Sequence, residues 1–404
     1  MKILVVTFFT PYKENYKGIS ALLYSLLKYR SSDVEVVLYS YNANQLPFEK
    51  IRDVERELGI KISFIPFPVW IQKLKRIPFL FKMLELLLPE SLYSYIAVPN
   101  EIKNRIKLFK PDVVWLYPFF FYNWASKLNN LKFVITGCDN NALFYKRCLD
   151  DAFFKPMKKR IGLLLRLYKA YHIEKKFARK NVMMHYVGQE DMASYMHKVN
   201  IHNAFFSVHP HNCYLGKDIR FSSPRIRVII AGNNDFYMFS NSRKIIEELC
   251  RNKLLPNFVE ITFLGKGWDT YYLALKDAGY VSNIITWVDN YNRELIKYDV
   301  QLVPISVGTG TKGKVLDALV NGLLCIGTPC AMENVFVENG KSCIIYNNPE
   351  DIPTILLDIS LNRKKYEEIA ENGRSMILEK HSPLLASDSF YANIANFLMK
   401  NNVL

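Results

Sequence analysis

Short apolar runs and stretches with helical spacing alternate along the whole chain. Apolar runs with the length of a buried strand occupy residues 2–9, 34–39, 61–65, 112–117, 132–136, 182–188, 225–232, 259–265, 283–287, 300–304, 323–328 and 342–346. Helical patterns such as 20–29, 242–249 and 293–297 separate these runs. Strands that alternate with helices in this way predict an α/β protein with parallel sheets and helices on both faces.

The length of 404 residues predicts two domains, each large enough to bury a core of its own. The alternating pattern is interrupted over residues 207–224, where His209 and His211 flank a proline. We therefore predict a first domain over residues 1–206 and a second domain that begins at residue 207. The two histidines are interpreted as structural residues of this turn-rich connection.

The segment after the predicted strand 300–304 has the features of an anion-binding turn. Gly308 and Gly310 allow the backbone to bend sharply and to approach a ligand closely. Thr311 is placed to cap a helix that ends at Gly322, and free amides at a helix start attract anions. We interpret the segment as a phosphate-binding loop, although α/β proteins also contain strand, glycine and helix turns that bind no phosphate.

Three charged side chains suit this loop to a sugar nucleotide. Lys312 and Lys314 add mobile positive charge next to the helix start, where a diphosphate would lie. Asp317 lies roughly 9 Å further along the helix axis, at 1.5 Å per residue. A carboxylate at that distance can accept hydrogen bonds from ribose hydroxyls while the phosphates occupy the helix start.

This stretch resembles the donor-binding core of GT-B glycosyltransferases, above all the large family 4 and its relatives in polysaccharide assembly. Those enzymes have a strand, a proline, a Gly-x-Gly turn, a Lys/Arg pair, Glu-Ala-x-x-x-Gly and a further strand that ends in threonine. The matching residues here are Pro304, Gly308, Gly310, Lys312, Lys314, Asp317, Ala318, Gly322 and Thr328. Many members have two glutamates eight positions apart, whereas this chain has Thr309 and Asp317. The acid that the family assigns to the transferred sugar is therefore absent at Thr309.

The resemblance implies the GT-B fold, in which two Rossmann-like domains face each other across a cleft. On this basis residues 1–206 form an acceptor-binding domain that faces a membrane, and residues 207–380 bind the nucleotide sugar. Residues 381–404 are expected to contain a final helix that returns to the first domain, with 390–398 as its predicted core.

The resemblance also implies donor contacts outside the glycine-rich loop. Gly265 and Lys266 are assigned to the nucleobase and phosphate side together with Trp287, and the backbone of Val288 to the base itself. Gly18 lies in a first-domain loop that reaches towards the donor in GT-B enzymes, although a simple turn glycine explains it equally well. The expected donor-binding residues are Gly18, Gly265, Lys266, Trp287, Val288, Gly308, Thr309, Gly310, Thr311, Lys312, Lys314 and Asp317.

The net charge of +15 lies in the first half of the chain, where residues 1–210 contain 32 Lys and Arg against 17 Asp and Glu. Residues 69–88 and 155–180 concentrate this charge, and the first of these segments also has the aromatic and leucine content of an interfacial helix. Neither segment is apolar enough to span a bilayer. The residues expected at an anionic membrane surface or near an acceptor are Trp70, Lys73, Lys75, Arg76, Lys158, Lys159 and Arg160.

This distribution predicts a protein on the cytoplasmic face of the cell membrane, held there peripherally by anionic lipid. Solvated helix faces over an ordinary core are the alternative. No recognised DNA- or RNA-binding motif is present, so nucleic acid is not expected as a partner.

Cofactors and metals are not expected. No Gly-x-Gly-x-x-Gly follows the first strand, which argues against a nicotinamide or flavin dinucleotide. The chain has no Asp-x-Asp motif and no histidine cluster, so no metal site is predicted. The seven cysteines have no paired spacing, which favours a reducing compartment over a disulfide framework.

The best candidate for a catalytic base is Asp139, which follows the predicted strand 132–136 in a turn that should enter the cleft. An inverting transfer needs such a base, a retaining transfer in this fold generally does not, and an aspartate in such a turn also satisfies local amides. Arg147, on the helix that follows, is placed either to meet an acceptor phosphate or on a solvated face.

Taken with the resemblance, these features predict a metal-independent hexosyltransferase. Its donor would be a nucleotide sugar and its acceptor a lipid-linked or cell-surface saccharide, as in the assembly of capsule, O-antigen or exopolysaccharide. Two alternatives stay open, a non-hydrolysing nucleotide-sugar 2-epimerase of the same fold and a non-catalytic subunit, the latter because of Thr309.

Overall fold

The computed structural model describes residues 1–211 and 213–400, so the last four residues of the predicted C-terminal segment, 401–404, lie outside the described residues. Within the described part of the chain, thirteen strands form one sheet of seven and one of six. Every neighbouring pair of strands in both sheets is parallel. The predicted α/β architecture is confirmed.

The strands are β1 (Lys2–Thr7), β2 (Glu35–Ser40), β3 (Ile62–Phe64), β4 (Val113–Tyr117), β5 (Phe133–Cys138), β6 (Val182–Tyr186), β7 (Ala204–Phe206), β8 (Ile226–Ala231), β9 (Val259–Leu264), β10 (Val281–Ile285), β11 (Val300–Val303), β12 (Leu324–Gly327) and β13 (Ile344–Ile345). The helices are α1 (Ala21–Lys28), α2 (Phe48–Leu58), α3 (Val69–Lys75), α4 (Pro78–Leu87), α5 (Asn100–Phe109), α6 (Trp124–Lys127), α7 (Asn141–Asp150), α8 (Met157–Phe177), α9 (Gln189–Val199), α10 (Phe239–Arg251), α11 (Asp269–Asp277), α12 (Tyr291–Leu295), α13 (Gly313–Val320), α14 (Pro329–Met332), α15 (Ile352–Leu361), α16 (Arg363–Lys380) and α17 (Pro383–Lys400).

Both sheets have the strand order of a Rossmann-like domain. The first runs β3-β2-β1-β4-β5-β6-β7 and the second β10-β9-β8-β11-β12-β13. In each sheet the order reverses beside the first strand, between β1 and β4 or between β8 and β11. Open parallel sheets bind ligands beyond the carboxyl ends of the strands at this switch point. In the second sheet, the loop that follows β11 is therefore at the position where a ligand is expected.

Two short strands differ from the sequence-based predictions. Strand β7 was not predicted, because three residues form too short an apolar run to stand out. The run 342–346 contains only the two-residue strand β13 at the edge of the second sheet, with Tyr346 donating from its backbone N–H to Gly327 O (3.0 Å).

Contacts divide the described residues into two compact units. The first contains residues 1–146 and 161–210 together with the described residues from Pro383 onward. The final helix α17 is part of this unit, since Ser387 Oγ donates to Leu26 O (3.1 Å) and the Phe390 ring lies 4.5 Å from the Trp115 ring.

The second unit contains the described residues of 211–382 and also the segment 147–160. Asp151 fixes this segment, because its carboxylate accepts hydrogen bonds from Ser240 Oγ and Ser306 Oγ, both at 2.8 Å. The Phe153 ring packs against the Phe239 ring at 5.4 Å. Sequence position alone had placed 147–160 with the first domain.

The predicted interfacial segment 69–88 forms two helices, α3 and α4, that are separated just before Pro78. Proline suits the first position of a helix and disfavours helical geometry in the residue that precedes it, which explains the break. Helix α4 has no buried side chain, although most of its residues are apolar. In the described part of the chain, no helix combines the length and the apolar composition needed to cross a bilayer.

Candidate functional site

The loops that follow β8 and β9 meet at the carboxyl edge of the second sheet. A Cβ on Gly265 would lie 2.4 Å from Gly232 O, so only glycine allows the two backbones to come this close at the observed φ of +134°. Asn233 Oδ1 accepts from Lys266 N (2.9 Å), and Asn234 N donates to Lys266 O (2.9 Å). Gly265 and Lys266, two of the predicted donor residues, thus belong to a pair of loops joined by hydrogen bonds.

The glycine-rich loop after β11 leads into helix α13. The helix begins at Gly313 and its N-cap residue is Lys312, with no side-chain cap hydrogen bond. The N-cap position therefore falls on Lys312, one residue after the Thr311 that the sequence had suggested. Gly310 adopts a positive φ of +65°, which turns the chain into the helix. The first amides of α13 consequently lie at the switch point of the second sheet.

The two lysines of this loop are held in place by the surrounding backbone. The buried Lys312 ammonium donates to Gly310 O (3.0 Å) and lies 3.5 Å from Glu333 Oε2. Lys314 Nζ donates to Ala231 O (3.1 Å), and a Cβ on Gly232 would lie 2.4 Å from it. Burial lowers the pKa of Lys314, and nearby Asp235 opposes that shift. The sequence had suggested mobile positive charge, whereas the structure fixes both ammonium groups.

A carboxylate that the sequence did not single out lies beside the glycine-rich loop. Glu333, at the end of α14, forms a two-point ion pair with Arg147, with Nη1 to Oε2 and Nη2 to Oε1 both at 2.7 Å. Arg147 Nη1 also donates to Gly308 O (2.7 Å). Position 309 is a threonine and not an acid, but Glu333, which is distant in sequence, lies beside Lys312 of the same loop. Arg147 meets this carboxylate, so it is not the solvated helix residue that one interpretation expected.

Asp317 is buried on α13, one turn before Asn321. Asn321 Nδ2 donates to Asp317 O (2.8 Å) and to Asn292 Oδ1 (3.0 Å), which ties the end of α13 to α12. Tyr291 lies nearby, and its pKa is raised first by burial and then by the charge of Asp317. Asp317 is therefore a buried carboxylate on the same helix whose first amides lie at the switch point.

The remaining predicted donor residues lie in less enclosed places. Trp287 follows β10, and 72% of its surface is exposed, while Val288 beside it is half-buried. Gly18 lies in the loop before α1, where a Cβ would come within 2.6 Å of the Phe9 ring. This close approach gives Gly18 a local structural role in the first unit.

Asp139 directly follows β5 in the first unit and is exposed, with its backbone N–H donating to Gly137 O (2.8 Å). The next residue anchors the turn, because Asn140 N donates to Asp191 Oδ1 (2.6 Å) and Asn140 Oδ1 accepts from Leu143 N (2.7 Å). The turn is therefore well defined, and it leaves the Asp139 side chain at the carboxyl edge of the first sheet.

A second carboxyl group shares a small cavity with Asp139. Glu174 on α8 is buried, and its Oε1 accepts from Ala142 N (3.1 Å) at the start of α7. Its Oε2 has no hydrogen-bond partner among the described residues. Burial raises the pKa of Glu174 to about 7, helped by nearby Asp191 and opposed by the Ala142 N–H and Lys198. A buried glutamate in a mixed helical run has no local sequence signal, so the sequence did not reveal it.

The predicted membrane residues fall into two groups. Trp70, Lys73 and Arg76 are exposed on or just after α3. Lys75 is exposed as well, but its ammonium lies over the Phe67 ring, 4.1 Å from the centroid, and partial burial lowers its pKa.

Lys158, Lys159 and Arg160 lie at the start of α8, in the part of the chain that belongs to the second unit. The Lys159 ammonium lies over the Phe153 ring, 3.4 Å from its centroid, and Arg160 Nη1 donates to Leu149 O (3.5 Å). Lys159 and Arg160 therefore make contacts within the second unit, which differs from the expected basic face on the first domain. Among the described residues, no three His, Cys, Asp or Glu side chains are grouped so that they could hold a metal ion.

The fold matches solved structures over nearly its whole length. The glycosyltransferase from Rickettsia africae aligns with a TM-score of 0.64 at 13% identity and covers 98% of each chain. Anabaena HepE in complex with UDP aligns with a TM-score of 0.62 at 11% identity, over 98% of this chain and all of the other. The lipopolysaccharide outer core galactosyltransferase WaaB aligns with a TM-score of 0.60 at 11% identity over the same shares. No family model matches the sequence, and no curated protein matches it significantly.

These structural neighbours are GT-B glycosyltransferases, and the chain has the GT-B fold. The fold that the resemblance implied is therefore confirmed. At identities of 11–13% the similarity shows the fold alone, so the roles of the individual site residues stay predictions.

Proposed function

We propose that the protein is a glycosyltransferase that uses a nucleotide-sugar donor. The observation that carries this proposal is the start of helix α13 at the switch point of the second sheet, with Lys312, Lys314 and the buried Asp317 beside it. Helix amides and two fixed ammonium groups suit a diphosphate, and the aspartate suits a ribose. The structural neighbour HepE has been solved with UDP and with UDP-glucose, which supports a donor of this class.

The same loop suits a transfer that needs no metal ion. Lys312 and Lys314 would balance the charge of the diphosphate that a divalent cation balances in other transferases. Glu333 places a carboxylate beside the loop and is paired there with Arg147, so the absence of an acid at Thr309 does not leave the loop without one. Transfer that persists in EDTA would support metal independence, and transfer that requires an added divalent cation would contradict it.

For the acceptor, we propose a lipid-linked saccharide of bacterial polysaccharide assembly at the cytoplasmic membrane face. Helix α4 exposes Phe79, Leu86 and Leu87, and Lys73 and Arg76 lie on the neighbouring helix and its end. An exposed apolar helix beside basic residues is typical of an interfacial segment. WaaB, a structural neighbour, is a lipopolysaccharide outer core galactosyltransferase, which supports an acceptor of this class.

The first prediction tests the donor site. We expect Lys312→Ala and Asp317→Asn each to weaken UDP-sugar binding roughly tenfold to a hundredfold, because a hydrogen bond to a charged group contributes about 1.5–3 kcal/mol. Isothermal calorimetry with a panel of nucleotide sugars measures this effect, and thermal melting checks that the variants are folded. Lys253→Ala, a change to an exposed lysine of the same unit, is the matched control.

Unchanged affinity in both site variants would contradict the proposed donor site.

Dependence of the reaction on an acceptor separates a transferase from a 2-epimerase. A transferase releases free nucleotide and a new glycoside when an acceptor is present, whereas an epimerase converts the donor without one.

The second prediction concerns the membrane. We expect the double variant Lys73→Ser with Arg76→Ser to bind anionic vesicles roughly 30-fold more weakly, because each basic residue near such a surface contributes about 1 kcal/mol. Lys75→Ser should have a smaller effect, since its ammonium lies over Phe67. Vesicle sedimentation at low and high salt measures binding.

The matched control for this experiment is Lys103→Ser with Lys107→Ser, which removes two exposed lysines of α5 in the same unit. Equal loss in both double variants would show a general charge effect and reject a specific basic surface at α3. Absence of vesicle binding by the unaltered protein would reject peripheral attachment through anionic lipid.

A further inference from the structure

A half-open groove of about 680 Å³ lies in the first unit between helices α4 and α8. This volume is within the range of pockets that hold small ligands. Phe81 and Leu86 of α4 line one side, Leu165 of α8 the other, and Phe119 and Phe120 after β4 line the remainder. The exposed surface of the groove is therefore mostly apolar.

The apolar side chains along this groove are only partly covered by protein. Helix α4 buries none of its residues, and Leu86 and Leu165 are each about half exposed (46% and 51%). Apolar surface in contact with water is unfavourable, in proportion to its area. A hydrocarbon chain laid along α4 and α8 would remove such surface from water on both helices.

Positive charge lies on the same two helices. Lys169 Nζ is 3.3 Å from Glu85 Oε2, so this pair is neutral and links α8 to α4. Lys82 and Arg166 also line the groove, and among the described residues neither has a hydrogen-bond or ion-pair partner. The groove thus combines an apolar wall with two cations whose charge is not balanced, and a guanidinium pairs well with phosphate oxygens.

The groove adjoins the candidate catalytic turn. Phe119, Asn141 and Ile173 line both the groove and the small cavity that contains the carboxyl groups of Asp139 and Glu174. A ligand whose charged end lies in the groove could therefore extend its next group towards Asp139.

We propose that this groove binds a single-chain lipid phosphate, with the hydrocarbon chain along α4 and α8 and the phosphate at Lys82 and Arg166. The ligand is the lipid carrier of the saccharide acceptor, so the inference rests on the proposed function. A concave site with two helical walls fits one chain, whereas a flat bilayer surface would contact the outer faces of the helices. The groove therefore specifies the carrier lipid, and the α3 surface is a separate, less selective contact with the membrane.

The test is direct binding of farnesyl phosphate to the full chain by isothermal calorimetry, below the concentration at which the lipid forms micelles. We expect saturable binding that falls at least tenfold in Lys82→Ala with Arg166→Ala, because both phosphate partners are lost. Farnesol and inorganic phosphate, which each lack one half of the ligand, should bind more weakly than farnesyl phosphate. Lys103→Ala with Lys107→Ala is the control of equal charge on α5 and should bind normally.

No binding of farnesyl phosphate, or equal affinity in the Lys82/Arg166 variant, would overturn the proposal. It would also be overturned if that variant lost only its binding to phosphatidylglycerol vesicles, since the two cations would then serve the membrane surface. UDP-sugar binding by the same variant should stay normal. This readout separates the two proposals. If the donor proposal is wrong, the unaltered protein does not bind UDP-sugar, but it should still bind farnesyl phosphate.

Discussion

Replacing Asp139 by Asn is expected to lower turnover by about 10²–10⁴ if the transfer inverts the anomeric configuration, because a positioned base contributes a factor of this size. Asn keeps the shape of the side chain and cannot accept the proton of the acceptor hydroxyl. The turn should persist, since it is anchored by Asn140 and Asp191. Nucleotide-sugar affinity should also persist, because Lys312, Lys314 and Asp317, which carry the donor proposal, lie in the second unit. Turnover and affinity are measured on the same preparation.

The matched control is Asp150→Asn, which removes an exposed acid at the end of helix α7. Its turnover should stay close to that of the unaltered protein. The anomeric configuration of the product is read by NMR beside these rates. A product with retained configuration, or near-normal turnover in Asp139→Asn, would withdraw the base assignment. In a retaining enzyme the same change should affect the rate only modestly, through the position of the acceptor.

The fold and the centre of the donor loop could be predicted because their signals are local in sequence. Buried parallel strands consist of short apolar runs, and Gly308, Gly310, Lys312 and Lys314 all lie within seven consecutive residues. The order of elements in a Rossmann-like sheet then places that loop at the switch point. For the same reason Asp139 could be assigned to the carboxyl edge of the first sheet from its position just after a predicted strand.

The rest of the candidate site depends on contacts between distant parts of the chain. Glu333 reaches the glycine-rich loop from α14, and Arg147 reaches it from α7, a separation of 186 residues between the two partners of one ion pair. The Lys75 ammonium, which lies over the Phe67 ring, likewise shows that a basic residue in an interfacial segment can have an aromatic partner within the protein. No spacing rule connects such residues, so the sequence alone could not assign them.

Substituting Glu174 by Gln should make the protein more stable at pH 7 and above. The pKa of Glu174 is raised to about 7 from an ordinary value of 4.5, chiefly by burial, so the folded protein holds this proton more tightly than the unfolded chain. The stabilisation is fully present below pH 4.5 and is lost as the pH rises to about 7. A difference of this size corresponds to about 3 kcal/mol, because one pKa unit is about 1.4 kcal/mol.

Several charged and polar groups around Glu174 affect its pKa. Asp191 raises its pKa, Lys198 and the Ala142 N–H lower it, and Asp139 lines the same cavity. Gln keeps an oxygen for the Ala142 N–H and mimics the protonated acid. The free energy of unfolding from urea melts at pH 5, 6, 7 and 8 should therefore decline less with pH in Glu174→Gln than in the unaltered protein.

Glu190→Gln, a change to an exposed glutamate at the start of α9, controls for the loss of one negative charge and should keep the original pH dependence. Identical slopes for Glu174→Gln and the unaltered protein between pH 5 and pH 7 would show that Glu174 ionises normally in the folded state. A smaller slope, with Asp139 left intact, would establish that a neutral carboxylic acid lies next to the candidate base near physiological pH.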